Sequence, residues 1–382
     1  MRVLHVTPYF APAFRYGGPP QSILGLCRGL RSAGVDIEVL TTTADGDAEV
    51  SSDVVRRGDY EGVPVRYLER SFPRRYFNAL GLSDALRQTL TRVDLAHVHG
   101  LWSFPFWAAV RECRRAGVPF VVSPRGMLDR GSFGYHRWRK TLLYWAKERK
   151  NLRGAALLHA TSTSEEENLE RLLLGPRIVR VPNGVSPPAI APAGRFREKL
   201  GLADNDGLVL FLGRLHPMKR LDLLMSALER VRAERPGAHL VLAGPEDGLD
   251  VRELMGRASD PHTVTWVGEV ASDEKWALLS EADVLVSCSD SESFGMSVLE
   301  AMAMGTPVVT TRTCPWEEVQ KARAGFWVSQ SAHDIADAIL NLLREQGEAR
   351  AMGERGQELV HERYRWPAIG RAMSAHYTRI LM

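Results

Sequence analysis

The sequence predicts an α/β protein built in two halves of similar size, each a parallel sheet covered by helices. Three observations carry this reading. Short apolar runs alternate with helically spaced ones over the first 180 or so residues, which is the pattern of strand–helix–strand units. A stretch rich in Pro, Gly and Ala, 183–195, then interrupts the rhythm as an interdomain linker does. The same alternation restarts near Leu208. A length of 382 residues, 45% hydrophobic and 25% charged, suits two such cores in an ordinary globular chain.

Taken in order, residues 2–7 form a short apolar strand that stops at Pro8. The loop 8–20 follows, rich in Pro, Gly and aromatics. Residues 21–32 show helical spacing through Ile23, Leu24, Leu26, Cys27 and Leu30, with Gly34 where a helix C-cap belongs. Further strands are expected at 36–42, 95–99, 120–123 and 157–160. Beyond the linker the expected order is strand 208–212, helix 221–235, strand 239–243, strand 264–267, helix 273–281, strand 284–287, helix 296–303 and strand 307–311. Two linked halves of this kind should bind a ligand in a crevice at the carboxyl ends of their strands.

Bulk properties exclude several classes. No apolar run approaches the ~20 residues that span a bilayer. The apolar N-terminal stretch is too short for a signal-peptide core, so a cytoplasmic protein is expected. Cys27, Cys113, Cys288 and Cys314 lie far apart with no C-x-x-C pair, which leaves neither a zinc site nor a disulfide framework. Net charge is +3, but residues 1–190 hold 27 basic against 18 acidic side chains, and residues 191–382 hold 22 against 28. The basic half points to an anionic partner: a phosphorylated acceptor, a membrane surface or nucleic acid. No recognisable nucleic-acid motif accompanies it, and nucleic acid is not expected as a partner.

Two motifs carry chemistry. In Glu292-Ser-Phe-Gly-Met-Ser-Val-Leu-Glu300 a loop and a glycine lead into a helix. Gly295 lets backbone come close to a ligand, and the amides of Met296 and Ser297 at the helix start suit a phosphate. Glu292 can accept hydrogen bonds from sugar hydroxyls, and Glu300, two turns on, can reach the far end of a long ligand. The second motif, Gly213-Arg214-Leu215-His216-Pro217-Met218-Lys219-Arg220-Leu221-Asp222, follows strand 208–212 directly. Arg214 and Lys219 there place two cations that can neutralise a diphosphate and stabilise it as a leaving group.

These residues resemble the retaining GT-B glycosyltransferases of family 4, which carry G-R-L-x-x-x-K-G-x-D after the first strand of the C-terminal domain and E-x-F-G-x-x-x-x-E after a later one. Both are present in order, with Arg220 where the family usually has glycine. Tyr16-Gly17-Gly18-Pro19 matches the family's glycine pair, and Pro182-Asn183-Gly184-Val185 its P-N-G-V. The resemblance implies a GT-B fold, two Rossmann-like domains facing a central cleft: 1–185 for the acceptor, 186–364 for the nucleotide sugar, and a last segment, 365–382, whose helix 366–380 crosses back to the first domain.

The resemblance also implies roles. Arg214 and Lys219 would hold the donor diphosphate. Glu292 would bind the donor sugar beside the backbone of Phe294 and Gly295, and Glu300 the ribose. Gly17 and Gly18 would let amides reach the distal phosphate, and Val270 would lie near the base. The implied reaction is transfer of a hexosyl group from a nucleotide-sugar donor to a glycan or lipid-linked acceptor, with retention and without a metal or other cofactor. A role in cell-surface polysaccharide or glycolipid synthesis follows. A nucleotide-sugar epimerase and a non-catalytic nucleotide-sugar-binding protein are the competing readings.

In the first half, Val121-Val-Ser-Pro-Arg125-Gly-Met-Leu resembles a family stretch with histidine where Arg125 stands. Arginine cannot act as a base but can bind a phosphate or an anionic acceptor. His97, His99 and Trp102 follow another strand and are expected to face the same cleft, Trp102 stacking on a sugar. Segment 130–153 carries eight cations against Glu148, with aromatics interleaved. It reads as a surface helix packed on its own domain, or as one lying on an anionic membrane at its inner face. Asp45-Gly46-Asp47 resembles D-x-D but sits in a polar loop, and neither G-x-G-x-x-G nor a Walker A sequence occurs.

Overall fold

The computed structural model describes residues 1–129, 144–190, 195–203, 205–270 and 272–382. The chain divides into two units, Met1–Gly184 with Arg365–Met382, and Val185–Tyr364.

The first unit holds strands β1 (Arg2–Val6), β2 (Asp36–Thr42), β3 (Ala44–Asp45), β4 (Ala48–Glu49), β5 (Asp59–Tyr60), β6 (Val63–Leu68), β7 (Leu95–His99), β8 (Phe120–Ser123), β9 (Leu157–Ala160) and β10 (Arg177–Arg180). Its main sheet runs β10-β9-β8-β7-β1-β2-β6-β5, with β3 and β4 forming a separate hairpin. Every neighbour pair in the main sheet is parallel except β5 with β6. The chain builds outward from β1 to β6, then returns to β7 on the other side of β1. That reversal makes β1/β7 a topological switch point, where the two flanking loops part and leave room for a ligand. Alternation decides the cores: Val3 faces one layer and Leu4 the other.

The helix Gly18–Ser32 starts three residues before the expected position, because Pro19 and Pro20 occupy its first turn. A missing N–H costs nothing there, and the fixed φ favours the helix. Its apolar face meets the helix Trp366–Leu381. Gly29 and Gly370 touch backbone to backbone: a Cβ on Gly29 would lie 2.3 Å from the Trp366 carbonyl oxygen, and one on Gly370 2.1 Å from the Gly29 carbonyl. Trp366 lies over Gly25 in the same way, and Ile369, Met373 and Tyr377 are buried below it.

The second unit holds β11 (Leu208–Leu212), β12 (His239–Ala243), β13 (Val264–Gly268), β14 (Val284–Ser287), β15 (Val308–Thr311) and β16 (Gly325–Val328), all parallel in the order β13-β12-β11-β14-β15-β16. Its switch point falls between β11 and β14. The helices Leu221–Glu234, Ser272–Glu281 and Met296–Ala303 begin or end within a residue of their expected limits. Strands β6, β10 and β16 were not expected from the sequence. All four cysteines are buried thiols. Among the described residues no helix is long and apolar enough to cross a membrane. Residues 130–143 of the basic aromatic segment lie outside the described residues. Its end is described as a π-turn, Tyr144–Glu148, running into the helix Arg149–Arg153.

Candidate active site

In the second unit the two motifs occupy the two loops that flank the β11/β14 switch point. His216 opens a short 3-10 turn, Pro217–Lys219, and its ring Nδ1 accepts from the Met218 N–H at 3.1 Å. The turn delivers the Lys219 ammonium to Glu292 in the loop after β14, with Nζ 2.7 and 3.0 Å from the two carboxylate oxygens. This pair is partly shielded, with 22% and 18% of the side chains exposed, so each charge holds the other at the switch point. Arg214, on the same loop as Lys219, pairs instead with Asp247 at 2.6 Å and is more exposed.

Gly295 sits in the left-handed region at φ 84 and caps the helix Met296–Ala303 without a side-chain bond to its amides. No acid occupies the helix's first turn, so the N-terminal end keeps its partial positive charge for a ligand. A Cβ on Gly295 would lie 2.8 Å from the Trp316 ring nitrogen and 3.3 Å from Glu292 Cγ, so only glycine fits. Among the described residues Trp316 Nε1 has no hydrogen-bond partner and is buried, a donor left beside this helix start. Phe294 is buried edge-on against Trp316. Met296 and Ser297 are half-buried in the first turn, and Val270 is half-buried against the same core as Phe294.

Glu300 is brought to Lys275 of the helix Ser272–Glu281, 2.7 Å away, with 5% and 13% of their side chains exposed. Lys275, Asp247 and Trp316, with Asp290, whose N–H donates to the Met218 carbonyl at 2.8 Å, are site neighbours that the sequence reading missed. None lies in either motif, and only the three-dimensional pairing marks them.

In the first unit, Gly17 (φ 81) precedes the helix Gly18–Ser32 at the end of the loop after β1. Arg125, after β8, adopts φ 58 and donates to Asn183 Oδ1 at 2.8 Å, to Ser22 Oγ at 3.4 Å and to His99 Nδ1 at 3.3 Å. Asn183 of the Pro182-Asn183-Gly184 motif is therefore an acceptor for this guanidinium. Burial lowers the Arg125 pKa from its ordinary value, the sign of a cation with too little water around it. Trp102 is half-buried at φ 58 after β7.

The expectation that His97 and His99 face a cleft is corrected: both are buried. They belong to a tier of hydrogen-bonded side chains at the strand ends. His159 Nε2 donates to the Val181 carbonyl, so its Nδ1 accepts from Ser123, which accepts from His97 Nε2, whose Nδ1 accepts from the Tyr377 hydroxyl. Arg125 can only donate, so His99 Nδ1 accepts from it and His99 Nε2 donates to His5 Nδ1, 2.9 Å away. The His5 Nε2–H is left buried without a partner among the described residues. Both strings require neutral rings. Burial keeps them so, lowering His5 and His159 to about 3 and His97 and His99 well below their usual value.

His5, His97 and His99 bring nitrogens within 4.8 Å of one another, a spacing that could suit a metal ion. Five of those six nitrogens are already hydrogen-bonded, and a guanidinium stands against the group. The arrangement is that of a polar tier that holds Arg125 in place.

Two parallel α/β units in one chain, each with its own switch point, are the architecture of the GT-B fold. The family described as glycosyl transferases group 1 matches residues 193–359, and the one described as glycosyl transferase 4-like domain matches residues 17–184. The chain belongs to the group 1 glycosyltransferases. It is 25% identical over its whole length, and 94% of the relative's, to a GDP-mannose:cellobiosyl-diphosphopolyprenol alpha-mannosyltransferase of Komagataeibacter xylinus. It is 28% identical to a D-inositol 3-phosphate glycosyltransferase of an Arthrobacter species, over 92% of this chain and 87% of that one. Among solved structures, Anabaena HepE in complex with UDP and glucose superposes with a TM-score of 0.75 at 19% identity, covering 99% of this chain and 100% of that one.

Proposed function

We propose that the chain transfers a hexosyl group from a nucleoside diphosphate sugar to a glycan or lipid-linked acceptor, with retention of configuration and without a metal. The observation that carries this reading is the Lys219–Glu292 pair at the β11/β14 switch point, beside an uncapped helix start. A diphosphate laid there would draw the Lys219 ammonium and the first-turn amides, with Arg214 a short turn away. Released from part of its pairing, Glu292 accepts from the sugar hydroxyls. Glu300 would reach the ribose and Val270 the base.

In the reaction the anomeric carbon–oxygen bond to the diphosphate breaks, and its electrons go to the leaving phosphate, where Lys219, Arg214 and the helix amides stabilise the charge. The acceptor hydroxyl attacks from the same face and passes its proton to the departing phosphate oxygen. Gly17 and Gly18 would open the backbone toward the distal phosphate. Trp102 and Arg125 would take the acceptor, with His99 acting through Arg125.

The mannosyltransferase relative names a diphosphopolyprenol acceptor, and the basic first half suits an anionic bilayer. We place the enzyme in the cytoplasm at the inner membrane face, in the assembly of cell-surface polysaccharide or glycolipid. The test is a panel of UDP-, GDP-, ADP- and dTDP-sugars with and without lipid-extract acceptors, read by nucleoside diphosphate release and by NMR of the product's anomeric proton. Diphosphate release that depends on acceptor supports the reading. Sugar epimerisation without acceptor, or saturable binding with no turnover on any acceptor, overturns it.

A further inference from the structure

We propose that loop 71–81 and the adjoining segment 144–153 of the first unit form one docking surface for an anionic lipid bilayer. The proposal deepens the membrane-facing part of the function above and rests on it. Phe72 and Leu80 are 89% and 80% exposed at the two ends of the loop, and Arg74 and Arg75 stand between them. Residues 71–81 contain no acid. The loop is built, not loose: the Ser71 N–H donates to the Asn78 carbonyl and Asn78 Nδ2 to the Phe72 carbonyl, both at 2.7 Å, and Arg70 bridges Ala79. Two large apolar side chains are thus held out in water by a fixed scaffold, an arrangement that exposes a patch for contact.

The surface continues through rings. Tyr76 lies 6.0 Å from Trp107 and 6.4 Å from Phe104. The Lys147 ammonium sits 4.1 Å over the Trp107 ring, and the Arg149 guanidinium 5.2 Å over Trp145, itself 64% exposed. The acid of this segment, Glu148, is turned inward and accepts from Trp107 Nε1 at 2.5 Å. Phe72, Leu80 and Trp145 stand outside among Arg74, Arg75 and Lys147, and the acid beside them, Glu49, lies 4.0 Å from Arg74 and is already held by Arg70 at 2.8 Å. Aromatic and aliphatic tips beside arginine and lysine match the boundary between acyl chains and anionic headgroups. A second copy of the chain would set these cations against one another, which opposes self-association.

The full-length chain is sedimented with phosphatidylcholine vesicles and with vesicles containing about one-third phosphatidylglycerol. Expected is binding to the anionic vesicles only, weakened by added salt. Arg74→Ala and Arg75→Ala each lower partitioning about fivefold, and Phe72→Ser and Leu80→Ser about tenfold each. The thermal shift produced by a nucleoside diphosphate stays as in the wild type in all four variants, which separates failure here from failure of the transferase reading. Equal binding to neutral vesicles, wild-type partitioning in all four variants, or a concentration-dependent dimer that Phe72→Ser abolishes would each overturn the proposal.

Discussion

The Arg220 guanidinium meets the Asp290 carboxylate at 3.1 Å and so joins the turn that carries Lys219 to the loop that carries Glu292. The same arginine holds Asp222 at 2.9 Å, and the Asp290 N–H donates to the Met218 carbonyl at 2.8 Å. Arg220 does this from φ 53, a left-handed conformation that suits glycine. Arg220→Gly is therefore expected to fold normally. Relief of backbone strain, about 1 kcal/mol, offsets loss of ion pairs that are partly exposed and worth about 0–1 kcal/mol. The thermal midpoint should stay within about 3 °C of wild type. Arg220→Val, β-branched at the same φ, should fall by about 1–2 kcal/mol in the same melt.

Lys219→Ala and Glu292→Ala should each lower kcat/KM for transfer by about 100- to 1000-fold, with the fold intact by circular dichroism. Because each residue is the other's partner, the double variant should lose less than the two single losses combined. Wild-type turnover in both single variants would contradict the site.

Glu300→Ala leaves Lys275 almost buried with its partner gone. A loss of about 3–5 kcal/mol is expected in urea unfolding. A variant of unchanged stability would show that this pair is not what fixes Glu300 in the unliganded protein.

Stability should fall as pH drops from 7 toward 5. His5, His97, His99 and His159 are held neutral when folded, their pKa values lowered by burial, and the unfolded chain takes up protons on all four near pH 6.5. Their contribution is complete above that value and is lost as pH falls toward about 3. Asp129 works in the opposite sense. Burial, and then the Glu165 charge, push it up to about 7, so the folded state keeps a proton that the unfolded chain releases, and one of the four terms is offset. Asp129→Asn should stabilise the protein at pH 8 more than at pH 5, as read by chemical unfolding at both values.

Gly370→Ala drives a methyl group into the Gly29 backbone. The two helices must part, at a cost of about 1–3 kcal/mol, and the thermal midpoint should drop while nucleoside diphosphate binding by the second unit persists.

The sequence displayed the central strands of both sheets because residues such as Leu208–Leu212 are buried on both faces and read as unbroken apolar runs. Strands β10 and β16 are edge strands of four residues, Arg-Ile-Val-Arg and Gly-Phe-Trp-Val, with one side of the ladder open and an apolar run too short to mark a strand by itself. Strand β6 is interrupted by Pro64, which lowers any strand reading. At the site, Lys219 and Glu292 were legible because each lies in a loop next to a core strand. Their pairing was not, since 73 residues separate them. The burial of His97 and His99 was illegible for a different reason: their partners His5, Ser123, His159 and Tyr377 come from four other elements, and only the sheet register sets His5 beside His97.

The contact between Gly29 and Gly370 has a consequence for synthesis. The helix Gly18–Ser32 emerges from the ribosome with the bare face that Trp366 will cover, and about 340 residues are added before that tryptophan exists. At typical elongation rates the wait is roughly 20–70 s. The second unit is finished first, although it is encoded later, and the nascent first unit carries an open greasy seam that chaperones would have to shield until its closing helix arrives.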